Sequence, residues 1–75
     1  MNYQESEIAS NCEFGNNVSI IGPVNIYGAQ ILDDVFIGPF TEIQSNVKIG
    51  NKTRIQSHTF VCSQTEIGNN CFIGH

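Results

Sequence analysis

The side chains able to accept a proton or attack a carbon are few in this chain. There are two histidines, His58 and His75, and three cysteines, Cys12, Cys62 and Cys71. An imidazole changes charge near neutral pH, so each histidine is a candidate general base. Gln56 and Ser57 directly precede His58. They could hydrogen-bond a ligand beside it, or merely satisfy a turn. The cysteines are weaker candidates. A reactive thiolate needs a cationic neighbour, and none stands beside Cys62 in the sequence. A zinc site is disfavoured, because the cysteines lack paired spacing and two histidines would need a third ligand. No metal is expected.

What must hold these groups is set by composition. The 75 residues carry seven acidic side chains against three basic ones, for a formal charge of −4. That balance argues against nucleic acid, whose binders present basic patches. No apolar run approaches the roughly 20 residues of a membrane span. Residues 1–7 are polar and acidic rather than a signal peptide, and the cysteines are odd in number. A reduced, cytoplasmic setting follows as the expectation. Eleven Ile and five Val stand against one Leu, Leu32, with nine Asn and seven Gly. Branched residues suit pleated surfaces, and Asn and Gly suit turns, so the class is all-β.

A repeat organises these residues. From Ile31 onward an aliphatic anchor recurs every six positions: Ile31, Ile37, Ile43, Ile49, Ile55, Val61, Ile67 and Ile73. Upstream the same step runs Ile8, Phe14, Ile20, Ile26, joined to the first run by one five-residue unit, Ile26 to Gln30. Four residues after each anchor comes a small or branched side chain, such as Val35, Thr41, Val47 or Thr53; Gln30 breaks the rule. Such spacing predicts one short inward-facing strand and one tight corner per hexapeptide. Gly follows many anchors, with Asn or Asp next, so positive φ is expected around those positions.

Stacking every third unit aligns like with like. Asn16, Asp33, Asn51 and Asn69 then form one corner, Pro23, Pro39, Ser57 and His75 a second, and Ser10, Gly28, Ser45 and Ser63 a third. Three corner chemistries favour a triangular prism of just under four coils over residues 8–75, after a polar segment 1–7. In that stack Phe36, Arg54 and Phe72 point outward in successive coils, and Phe60 points outward on the next face. Exposed aromatics bracketing an arginine predict a contact surface with cation–π stacking. His58 and His75 fall on one face, a coil apart.

The runs Ile37-Gly38-Pro39-Phe40-Thr41-Glu42-Ile43 and Ile67-Gly68-Asn69-Asn70-Cys71-Phe72-Ile73-Gly74-His75 resemble the hexapeptide-repeat acyltransferases. The resemblance implies a left-handed parallel β-helix, an exception to the right-handed crossover rule. It also implies a homotrimer that binds acetyl-CoA in clefts between neighbours. Arg54-Ile55-Gln56-Ser57-His58-Thr59-Phe60 and the closing Gly-His most resemble N-acetyltransferases of nucleotide-linked amino sugars. Carried over, His58 is the first candidate base and His75 the second, with Gln56 and Ser57 as substrate-binding residues. A zinc carbonic anhydrase of the same fold would need histidine spacing that is absent. An ice-binding prism would need outward threonines, whereas these point inward. The competing expectation is a non-catalytic or truncated β-helical structural or interaction module, since the last hexapeptide stops after three residues.

Overall fold

A hexapeptide with one inward anchor can bury that anchor only against its equivalents in neighbouring coils, so the units must stack. They do so in the computed structural model, which describes residues 6–74. The chain is all-β, a left-handed parallel solenoid of about four turns.

The strands of the first face are β1 (Glu7–Ile8), the start of β4 (Val24–Ile31), the start of β6 (Thr41–Ile49) and β8 (Phe60–Val61). The second face holds β2 (Glu13–Phe14), the ends of β4 and β6, and β9 (Glu66–Ile67). The third holds β3 (Ser19–Ile20), β5 (Phe36–Ile37), β7 (Arg54–Ile55) and β10 (Phe72–Ile73). All pairings are parallel, and the anchors register on one another: Ile20 on Ile37 on Ile55 on Ile73, and Phe14 on Ile31 on Ile49 on Ile67. The predicted stacking of every third unit is therefore the observed one.

Inside, Ile26, Ile37, Ile43, Ile49 and Ile55 are 0% exposed, with Val35, Val47 and Thr53 filling the space between them. Anchors of the outer coils are less covered; Ile8 is 43% and Phe14 42% exposed. The buried threonines Thr41, Thr53 and Thr59 spend their hydroxyls on backbone carbonyls. Thr53 Oγ1 donates to the carbonyl of Gly68 at 2.7 Å. This inward placement is the one the repeat predicts.

Two expectations are corrected. First, no glycine has positive φ; the left-handed residue is the third after eight of the anchors, at Asn17, Asp34, Phe40, Asn46, Lys52, His58, Gln64 and Asn70, so the expectation holds for the neighbouring Asn and Asp and fails for the glycines. The glycines serve close approach instead. A Cβ on Gly50 would lie 2.6 Å from the carbonyl carbon of Gly68, one coil on. Second, Gln30 is not a failed inward position. The five-residue unit omits its left-handed corner residue, the register jumps between Gly28 and Ala29, and Ala29 takes the inward site at 2% exposure.

The predicted amide corner is a hydrogen-bonded ladder. Backbone N–H groups of Asn16, Asp33 and Asn51 donate to the side-chain oxygens of Asp33, Asn51 and Asn69 at 2.8, 2.9 and 2.7 Å. Each rung supplies an acceptor to a backbone donor that a corner would otherwise leave to water.

Glycine contacts yield a paired prediction. Gly50→Ala must push the next coil and is expected to cost about 1–3 kcal/mol. Gly68→Ala meets nothing closer than Cys71 Sγ at 4.0 Å. It is expected to be neutral or to stabilise by about 0.4–1 kcal/mol, since alanine restricts the unfolded chain. Urea titrations of both variants check this. Equal effects would refute the close-approach role.

Candidate functional site

His58 stands at the corner between the third and first faces, exposed, with φ of 60°. Its backbone is pinned on several sides. The N–H of His58 donates to the Pro39 carbonyl at 3.0 Å, and the N–H of Gln56 to the Ile73 carbonyl at 2.9 Å. From inside the prism, the hydroxyls of Thr41 and Thr59 both donate to the Gln56 carbonyl, at 3.3 and 2.8 Å. Gly38 permits this approach, because a Cβ there would lie 2.8 Å from the Ser57 nitrogen. The corner is held at both levels of the stack.

The ring is held as well. The His58 imidazole stacks on Phe40, one coil earlier, with centroids 5.0 Å apart and planes at 23°. Phe40 is itself left-handed, at φ 59°. Other corners place Asn, Asp, Lys or Gln at that position, side chains that tolerate it better than a bulky ring. For most residues the left-handed state costs about 1–2 kcal/mol. Strain of this kind is a reason to look for function. The sequence reading missed Phe40 as a site residue. The signal was available, since Phe40 stands where the other left-handed corners carry Asn, Asp, Lys, Gln or His.

Gln56 and Ser57 are half-buried and adjoin His58 along this corner, so the structure brings three of the four predicted catalytic and substrate-binding residues together. His75 lies outside the described residues. Arg54 stacks its guanidinium 4.5 Å from the centroid of Phe36, and both Phe36 and Phe72 register on Arg54. The column expected from the repeat is present, with one correction. Phe36 is half-buried beneath the arginine rather than exposed, while Phe72 is 68% and Phe60 56% exposed. Phe60 registers on Glu42 on the first face.

A groove of about 540 Å³ lies elsewhere, over the corner flattened by the five-residue unit. Asn11, Gln30, Asn46, Lys48 and Gln64 are among its lining residues, and among the described residues none of the predicted site residues is. All three cysteines are free thiols. Among the described residues no group of three or more His, Cys, Asp or Glu could hold a metal ion. No helix among them is long and apolar enough to cross a membrane.

Chemically, the corner offers an imidazole with fixed backbone and a fixed ring face, flanked by an amide and a hydroxyl. That set can accept a proton and hydrogen-bond a polar substrate. Residues 28–63, which include this corner, match the family described as bacterial transferase hexapeptide (six repeats). No curated protein and no solved structure matches the chain. The six-residue anchors, the stacked parallel coils and the match over residues 28–63 together support the hexapeptide-repeat β-helix family for this chain.

Proposed function

We propose that the chain is a cytoplasmic acyltransferase working as a homotrimer, moving the acetyl group of acetyl-CoA to the amine of a nucleotide-linked amino sugar. The observation that carries this reading is His58, an imidazole stacked on Phe40 at a corner fixed by hydrogen bonds. A group that must accept a proton at a defined point needs this restraint, because misplacement by about an ångström can cost a hundredfold in rate.

In the proposed reaction the acceptor nitrogen bonds to the thioester carbonyl carbon, the C–S bond breaks as coenzyme A departs, and the amine proton passes by way of His58 to the leaving thiolate, which is released as the thiol. Gln56 and Ser57 hold the acceptor beside the imidazole. The residues suit an acyl thioester in kind, since Phe40 and Phe60 present exposed ring surface beside the polar groups. The corner is a ridge of the prism, so a neighbouring prism has to supply the other wall of a cleft. The third-face column Phe36, Arg54 and Phe72, with Phe60 on the first face, is proposed as that subunit contact. His75 is the second candidate base.

The test is thiol release from acetyl-CoA with amino-sugar nucleotides as acceptors, alongside CoA binding by calorimetry. Turnover supports the enzyme. Absence of both turnover and CoA binding would sink it in favour of a non-catalytic interaction module. That second reading is favoured by one observation: the described groove avoids His58.

A further inference from the structure

We infer that copies of this chain join third face to first face, with Arg54 of one prism paired to Glu42 of the next. The inference rests on the homotrimeric reading above and names the residues that would make it. In an acidic chain, the basic side chains are confined to Lys48, Lys52 and Arg54. Lys48 registers on Glu66, and Lys52 follows Asp34 in the same corner column. Arg54 differs, because its cross-strand neighbours are Phe36 and Phe72. The outward column of the third face is Ser19, Phe36, Arg54 and Phe72, with no carboxylate in it.

The first face has the opposite character. Its outward column is Glu7, Asn25, Glu42 and Phe60, with no cation. Glu42 is already oriented, because Gln44 Nε2 donates to its Oε2 at 3.0 Å. Arg54 is oriented by the Phe36 ring. Both partners are therefore restrained before they meet, which lowers the entropy cost of pairing two long side chains. Pairing like faces would set Arg54 against Arg54 or Glu42 against Glu42. Between these two faces the unlike pairing is the one that matches charge, and on the second face the carboxylate of Glu66 already has Lys48 as its cross-strand neighbour.

Height along the prism also agrees. Arg54 follows Glu42 by 12 residues in a coil whose register step is 18. Two-thirds of a coil spacing of about 4.8 Å is about 3 Å along the axis, within reach of an arginine. Copies rotated about an axis parallel to the prism keep these levels. Arg54 then lies between the levels of Glu42 and Phe60 on the neighbour, able to meet a carboxylate and a ring together. Such a head-to-tail contact makes a ring when its rotation closes. Because the third and first faces flank the His58 corner, the same contact borders that corner.

The full chain and the variants Arg54→Glu, Glu42→Arg and the double exchange are compared by sedimentation velocity across a concentration series. Wild type is expected at three times the chain mass. Each single variant should weaken association by about tenfold or more, and the double exchange should regain most of it. A trimer indifferent to both single exchanges, or a double exchange no better than the singles, overturns the Arg54–Glu42 pairing and leaves the trimer standing. A monomeric wild type overturns pairing and trimer alike. If a charge reversal unfolds the chain by circular dichroism, Arg54→Gln and Glu42→Gln complete the same cycle.

Discussion

Ile43→Ala is expected to lower stability by about 2–5 kcal/mol, the range for truncating a buried aliphatic side chain. At roughly 0.05–0.15 kcal/mol per residue, a chain of this size holds on the order of 4–11 kcal/mol in all. One anchor thus accounts for a large share. Ile43 is 0% exposed, registers on Ile26 above and Val61 below, and sits in a single core cluster filled from all three faces. The surrounding coils cannot close over the gap, because hydrogen bonds such as Glu42 N–H to the Thr59 carbonyl at 2.9 Å hold their spacing. A cavity remains, and with it the lost contacts. Ile8→Ala provides the contrast. At 43% exposure Ile8 has less to lose, and a cost below about 1 kcal/mol is expected. Urea unfolding followed by circular dichroism measures both. Equal losses at Ile43 and Ile8 would contradict a core concentrated in the central coils.

The difference between those two isoleucines was not legible from the repeat, which treats every anchor alike. Periodicity reports which way a residue points, and here it placed the anchors, the inward threonines and the Asn16–Asp33–Asn51–Asn69 ladder correctly. It does not report how many neighbours lie above and below. The glycines show a second limit. Residue type suggested left-handed backbone near Gly38 and Gly50, yet the geometry of a six-residue side requires it two positions later. There the chain accepts even Phe40 and His58. Backbone closure outweighs the preference of a single residue. In the same way Gln30 looked like an irregular inward residue because the count assumed six positions per corner. Skipping the corner residue slides Ala29 into the core instead. For the site, His58, Gln56 and Ser57 were adjacent in sequence and so were found together. Phe40, Thr41 and Glu42 lie 16 to 18 positions before His58, and only the coil register brings that stretch beside it.

His58→Asn separates chemistry from architecture at this corner. Asparagine already occupies the equivalent left-handed position at Asn17, Asn46 and Asn70. The backbone of the variant should therefore stay in place, with its N–H still donating to Pro39. Its amide cannot accept a proton at neutral pH. If His58 is the general base, acetyl transfer should fall by about 10²–10⁴-fold while unfolding free energy changes by no more than about 0.5 kcal/mol. His58→Ala should lose the same activity but also stability, since alanine tolerates the left-handed corner poorly. Phe40→Leu tests the ring beneath. It keeps an apolar side chain at the corner and removes the stacked face, so His58 remains but is less restrained. A smaller loss of rate is expected there, on the order of tenfold, recovered by Phe40→Tyr, which restores an aromatic face. Full activity in His58→Asn would remove the base from this corner. Loss in His58→Asn with full activity in Phe40→Leu would keep the base and show that the stack does not position it.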